Sequence, residues 1–412
     1  MEQFNFIEHK TLFNQNNEID KKKIAQLKDL NLDFVENEVC FLGLNPFNYT
    51  VSYYIGIDWL KEKECYITVE PKIKDLDYVK MFIQCLKHQE ISKYFREIYN
   101  IDFKKPKIKT SAINWDLTPF LIVHFLSLVE KIVNQGLRSN YIVREENLNS
   151  KIKGKIIFQQ QIKKNIASKR EDRYCCRFQE YNVNCLENRL LKKTLLYVQR
   201  YSKCYREKYP ELIQQQNKLL SAFENISDEI SYSEIKRIKI NRLFKEYIEA
   251  TELAKQILHS FGYSYKNTEE SKQNELPPFW IDMSKLFELY VYCLLKEEYA
   301  NEILYQTSGK YGEVDFLKIN EKLIIDTKYK KIYDNEDKYK IEDIRQLSGY
   351  ARDKGILKKL NITIDNEVVD CVIIYPCDDT SKRCFAGRII KEEKIEQFTK
   401  FYKCGIWLPR KQ

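Results

Sequence analysis

The first 75 residues carry short apolar runs broken by polar ones, at 39–44, 51–57 and 66–70, the last just before Pro71. Runs of this length, rich in Val, Ile and Tyr, predict strands and a small β-rich module. Helical spacing follows at about 77–99 and at 117–135, where Gly136 stops it. Strand character returns within 141–160, around Ile152–Phe158. From about 186 to 262, Leu, Ile, Phe and Tyr recur among charged residues, which predicts a run of helices. Thr268–Pro278 is polar and ends in two prolines, the clearest boundary in the chain.

Beyond that boundary the pattern is denser. Residues 281–295 predict a helix that becomes buried, opened by Asp282 or Ser284 as N-cap. A strand at 303–307, two more at 313–316 and 323–329, a helix at 342–351 and a strand at 368–375 follow. The last is almost wholly apolar, as a buried central strand is, and Pro376 ends it. The predicted class is therefore α+β and multidomain: a β-rich N-terminal domain, a helical middle and a C-terminal α/β domain. The expected division is 1–165, 166–272 and 273–412.

Two acids and a lysine stand out on the second and third of those C-terminal strands. Side chains at i and i+2 of a strand share a face, so Asp326 and Lys328 point the same way. Asn320-Glu321-Lys322 suits a turn that returns the chain beside Asp315. If the strands pair, two carboxylates and an ammonium converge on one patch. Mg²⁺ is held by one or two carboxylates plus substrate phosphate, so the patch suits metal-assisted phosphodiester hydrolysis. A salt-bridged solvent face on a hairpin is the plainer alternative. Glu288 sits among apolar residues of the first helix, where a carboxylate is costly unless paired or bound to metal. Gln346 and Tyr350, four apart, share a helical face.

The order of elements, with Asp315, then Asp326-Thr327-Lys328, then Gln346 and Tyr350, resembles the PD-(D/E)XK nuclease superfamily. More narrowly, the chain resembles the McrC family, nuclease subunits of McrBC-type modification-dependent restriction systems. Carrying this closer resemblance are Met283–Glu288, Asp326–Lys330, Gly136–Tyr141, Lys153–Ile156, Cys176–Phe178 and Glu187–Lys192. It covers 130–200 and 275–350 well and the first hundred residues weakly. It implies that Asp315 and Asp326 bind Mg²⁺ (Mn²⁺ substituting), with Glu288 as an auxiliary acid and metal ligand. It makes Lys328 the catalytic lysine and Gln346 and Tyr350 supporting residues. Val314 stands where the superfamily has its first proline. The resemblance also implies a partner, a hexameric McrB-like AAA+ GTPase that translocates DNA, is stimulated by this subunit, and receives its N-terminal region.

The remaining features narrow this expectation. Net charge is +9, from 69 Lys and Arg against 60 Asp and Glu, which is compatible with DNA but does not single it out. Twelve cysteines include no CxxC pair, and only four histidines accompany them, so neither zinc nor a disulfide framework is expected. Reduced thiols and the lack of a signal-like N-terminus point to the cytoplasm. The longest apolar stretch, 117–133, includes Pro119, His124, Glu130 and Lys131, and predicts a core helix instead of a membrane span. With no GxxxxGK[ST] motif, the chain is not expected to bind nucleotide itself. Arg200-Tyr201, Lys203 and Tyr205-Arg206 could touch DNA, though a solvated helix face is the simpler expectation. Two other functions stay open: a stand-alone nuclease of repair or phage defence, and a catalytically silent adaptor of an NTPase.

Overall fold

The structure, a computed structural model, describes residues 2–10, 21–30, 41–45, 47–85, 88–102, 104–110, 118–202, 210–238, 244–262, 274–310, 312–334, 339–362 and 367–411. The chain forms two compact units, one from 1–115 joined with 271–412, the other from 116–270. The division between the units falls at 115–116 and at 270–271. The boundary expected at 165–166 instead falls inside the second unit, and the two ends of the chain fold together.

In the first unit, strands β1 (Glu2–Ile7), β2 (Tyr54–Lys61) and β3 (Cys65–Glu70) form the β-rich start. β1 lies parallel to β3, and β2 antiparallel to it. Phe4, Phe6, Ile67 and Val69 alternate inward and pack with Leu27 of helix α1 (Lys21–Asp29). The run at 39–44 is not a strand where it is described. Phe41–Gly43 is a single turn with Leu42 at φ 56, and that side chain plugs the apolar cluster. Val39 and Cys40 lie outside the described residues.

Nor is 77–99 one helix. Helix α2 (Tyr78–Gln84), capped by Asp77, ends early. After a 3₁₀ helix at Gln89–Tyr94 and a four-residue helix the chain straightens at Tyr99 into β4 (Tyr99–Ile101). Long-range strand pairing there overrides local helical spacing. A short strand, β5 (Ile108–Thr110), closes this segment.

The second unit opens with helix α3 (Thr118–Gln135), a buried core helix as expected; the next residue, Gly136, has φ 94. Strands β6 (Asn140–Asn149), β7 (Lys155–Ile156) and β8 (Arg173–Asn182) make an antiparallel sheet in the order β6-β8-β7. The strand expected around 152–158 shrinks to β7. The long one, β6, is polar and mostly exposed, so it lacks the alternation that betrays a half-buried strand. Gly154 (φ 71) lets the chain cross β8, since a Cβ there would meet Arg177 O at 2.4 Å. Helices α4 (Leu186–Ser202), α5 (Pro210–Ala222) and α6 (Lys245–Gly262) follow. Phe120, Phe125, Leu190, Leu195, Phe223 and Ile257 are buried in this unit.

On return to the first unit, β9 (Asn274–Leu276) pairs with β5, and β10 (Phe279–Asp282) is inserted between β2 and β4. Helix α7 (Met283–Tyr299) starts at once, with Asp282 as its N-cap accepting from Lys285 N at 2.9 Å. The second sheet of this unit follows: β11 (Ile303–Ser308), β12 (Glu313–Lys318), β13 (Leu323–Thr327), β14 (Asp370–Cys377), β15 (Glu393–Lys394) and β16 (Phe401–Trp407). Its spatial order is β11-β12-β13-β14-β16-β15. The first three strands are antiparallel, while β13, β14 and β16 run parallel. Helices α8 (Ile341–Tyr350) and α9 (Lys354–Lys359) link β13 to β14. Ile344, Leu347 and Ile356 from those helices pack with Leu317, Ile324, Cys371 and Ile373 of the sheet.

Pro376 does not end β14; the strand continues through it and pairs with β16 opposite Ile406. Ile374 accepts from Lys328 N, on the β13 side. Pro376, two residues on, turns its missing N–H to that same side, where β13 has already ended, so no ladder bond is lost. Strand β16 was not foreseen. Together the two units give the α+β multidomain class expected. Among the described residues no helix is long and apolar enough to cross a membrane.

Candidate active site

The β12–β13 register pairs Phe316 with Ile325 and Leu317 with Ile324. One step further along that ladder sets Asp315 opposite Asp326. Directly opposed residues of an antiparallel pair share a face, so the two acids project on the side of Leu317 and Ile324. That is the side covered by α8. The Asp315 carboxylate is fixed from β13: Oδ2 accepts from Thr327 N at 2.7 Å and from Thr327 Oγ1 at 2.6 Å. Across β12, the ladder to β11 pairs residues on either side of Gln306 and Asp315 but not these two, and Gln306 has φ 46.

Asp326 is nearly buried, 2% exposed, and its Oδ2 lies 2.6 Å from Lys328 Nζ. Burial, and then the charge of Asp315, push its carboxyl up to about 7, against the opposing pull of Lys328. Burial would lower the Lys328 ammonium, but Asp326, with Asp315 and Asp343 behind it, holds it above its ordinary value. Lys328 Nζ also donates to Gln346 Oε1 at 2.9 Å, and Gln346 Nε2 donates to the Tyr350 hydroxyl at 2.9 Å. Asp326, Lys328, Gln346 and Tyr350 thus form one connected line from strand end to helix, and Asp315 stands beside it.

Glu288 approaches from α7. Burial, then Asp315, push its carboxyl up to about 7, while Lys285 Nζ donates to Oε1 at 3.0 Å. All six residues expected at the site therefore belong to one neighbourhood, although Glu288 already has a lysine partner. Among the described residues no group of three or more His, Cys, Asp or Glu stands ready to hold a metal ion. The donor set still fits a hard divalent cation. Asp326, buried, and Asp315, half-buried, present carboxylate oxygens of like charge, and a cation would relieve the repulsion that raises Asp326.

This arrangement has a pH consequence. Asp326 and Glu288 fold with raised pKa, so their contribution to stability is full below the unfolded value, near 4, and is lost as pH rises to about 7. The metal-free protein is expected to melt at a lower temperature at about pH 8 than at about pH 5.5 on their account. Mn²⁺ should restore more of that loss at the higher pH, and in Asp326→Asn its effect should vanish. Thermal melts with and without Mn²⁺ check this; an equal Mn²⁺ shift in the variant would remove the cation from Asp326.

Other residues at the site escaped the sequence reading. Thr327 anchors Asp315. Asp343, on α8, accepts from Lys330 Nζ at 2.8 Å and from the Tyr333 hydroxyl. From the N-terminal strands, Lys72 reaches the backbone beside Lys328, with Glu8 beneath it. Only Thr327 and Lys330 had a signal, their place inside the Asp326–Lys330 string. Of the tyrosine–cation mixture at 200–206, Arg200 is exposed near the end of α4, and 203–206 lie outside the described residues. A cavity of about 700 Å³ in the second unit, lined among others by Arg144, Glu145, Glu187, Arg189 and Arg237, holds none of the site residues.

Residues 50–357 match the model of a family described as McrBC 5-methylcytosine restriction system component. No curated protein matches the chain. Among solved structures, the chain is similar to one in a refined half-complex from a tetradecameric assembly of Thermococcus gammatolerans McrB AAA+ hexamers with bound McrC. Identity is 17%, coverage 98% of this chain and 94% of that one, and the TM-score 0.39. A second likeness is to the Thermococcus gammatolerans McrBC complex, at 17% identity, 71% and 87% coverage and TM-score 0.32. Both scores are low, and these likenesses add nothing to what the family match shows.

Proposed function

The chain belongs to the McrBC family of 5-methylcytosine restriction system components, and from that premise we propose that it is the DNA-cleaving, McrC-type subunit of such a system. The observation that carries the proposal is the convergence of Asp315, Asp326 and Lys328 on one face, with Gln346 holding the lysine. The succession of α7, antiparallel β11–β13, α8 and parallel β14 supports a PD-(D/E)XK nuclease domain in 273–412. Val314, in place of that superfamily's proline, does no chemistry and leaves the acids where they are needed.

Asp315 and Asp326 would hold Mg²⁺, with Glu288 as an auxiliary acid. When bound, the cation supplies an acidified water and offsets charge on the phosphate. Thr327 holds Asp315 in place by two hydrogen bonds. Lys328, kept protonated by its acidic neighbours, offers its charge to the phosphate oxygens, and Gln346 and Tyr350 fix its direction. The partner is a McrB-like AAA+ GTPase, consistent with the missing phosphate-binding loop in this chain, and the N-terminal region is its docking side.

The test is reconstitution. With methylated DNA, Mg²⁺, GTP and the partner all present, double-strand cutting is expected, and omission of any one of them should stop it. Cutting with Mg²⁺ alone would favour a stand-alone nuclease. No cutting, with GTPase stimulation intact, would favour a silent adaptor.

A further inference from the structure

Lys72 and Glu8 lie far from the acids in sequence, yet they meet the site from behind. Glu8, which follows β1, is 0% exposed. Lys72, which follows β3, donates to Glu8 Oε1 at 3.0 Å and to the backbone carbonyl of Tyr329 at 2.6 Å. Its ammonium also sits 3.8 Å from the centroid of the Tyr329 ring and 4.8 Å from that of Tyr53. Tyr329 is itself 2% exposed and packs against Phe287, next to Glu288 on α7.

The backbone explains why a lysine is needed there. β13 ends at Thr327, and Lys328 N makes one more ladder bond, to Ile374 O at 2.9 Å. The chain then turns sharply, with Lys330 N donating to Lys328 O at 2.6 Å. The Tyr329 carbonyl has left the sheet in a buried place, where an unmatched acceptor is costly. Lys72 provides the donor. Glu8 in turn compensates the lysine, in a setting where burial pushes its own carboxyl up to about 7. On the other side of the same turn, Lys330 is held by Asp343.

We propose that Lys72, seated on Glu8, is a positioning residue for catalysis: by gripping the Tyr329 carbonyl it fixes the turn that aims Lys328 at the Asp315–Asp326 pair. This rests on the nuclease reading above and adds to it a role for the N-terminal β-module. A displacement of roughly 1 Å at a catalytic group can cost about 10²-fold.

Two variants separate positioning from mere structure. Lys72→Met takes the ammonium from both Glu8 and the Tyr329 carbonyl, leaving Glu8 only the backbone N–H of residue 72, 3.4 Å from Oε2, and instability accompanies it. Glu8→Leu combined with Lys72→Met removes the whole buried pair, a change that is often neutral for stability, but it still leaves the carbonyl without its donor. In the reconstituted complex the double variant is expected to melt above the single variant though below wild type, to bind DNA normally, and to have kcat lowered about 10–100-fold. Amide exchange should accelerate within 327–333 and stay unchanged in β1, β3 and α7. Recovery of both stability and kcat in the double variant would overturn the proposal, as would unchanged exchange at 327–333. If Asp326→Ala also cuts normally, the nuclease reading itself is at fault; if it is inactive while the double variant has wild-type kcat, only the positioning role fails.

Discussion

Replacing Asp326 with alanine is expected to lower DNA cleavage by the reconstituted complex at least about 10³-fold. Loss of a group that merely orients a metal ligand costs about 10–100-fold, and Asp326 would be a ligand itself. Partner binding and GTPase stimulation should persist, because the side chain is 2% exposed and lies under α8. Two stability effects oppose each other in this variant. Removal of a buried carboxyl already pushed up to about 7 relieves repulsion with Asp315, while Lys328 loses the neighbour 2.6 Å away. The melting temperature should therefore move little. Asp326→Asn keeps the volume and should be just as inactive, since an amide oxygen carries no charge to hold the cation. Wild-type cutting by either variant would eliminate the site.

The core of this site was legible because two periodicities meet there. The apolar stretch 323–325 running into Asp326-Thr327-Lys328 marks a strand whose end emerges from the core, and the period of two fixes which side chains point together. The turn at 319–322 then sets the register, and with it the pairing of Asp315 and Asp326 follows. The α7 start was legible too, and of its two candidate caps, Asp282 and Ser284, it is Asp282 that makes the capping hydrogen bond. Gln346 and Tyr350 could be placed on one helical turn, but not joined to Lys328 without the structure.

What the sequence concealed is mostly long-range. Residues 77–99 read as helix because their apolar spacing allows it, yet Tyr99 pairs with Ile281, almost two hundred positions away. β10 joins the N-terminal sheet for the same reason, so the first and last segments share one unit although the helical middle separates them along the chain. β6 stayed hidden because neither of its faces is consistently apolar. Lys72 and Glu8 carry no motif at all: a lysine after one strand and a glutamate after another mean nothing until the fold sets both against Tyr329.

Lys328→Met should lower kcat about 10²- to 10³-fold, the usual cost of deleting one preorganised donor, with little change in DNA affinity measured in Ca²⁺. The environment of Lys328 decides what the residue does. Its ammonium is held above its ordinary value, chiefly by Asp326 against the contrary effect of burial, so it keeps its proton through the whole neutral range. A lysine in that state cannot take a proton from water; it can only present positive charge. The cation competes with the proton at Asp326, so the pH at which wild-type activity rises should fall below about 7 as Mg²⁺ is increased, with no alkaline limb from Lys328 below about pH 9. Lys328→Met should keep that rise at a lower level and displace it to higher pH, because the pull of Lys328 on Asp326 is gone. Lys328→Arg should recover little, because the ammonium fits between Asp326 Oδ2 at 2.6 Å and Gln346 Oε1 at 2.9 Å, where a wide planar guanidinium cannot reproduce both contacts. A methionine variant that loses the pH-dependent rise would instead make Lys328 the group that titrates, and would assign it the role of base.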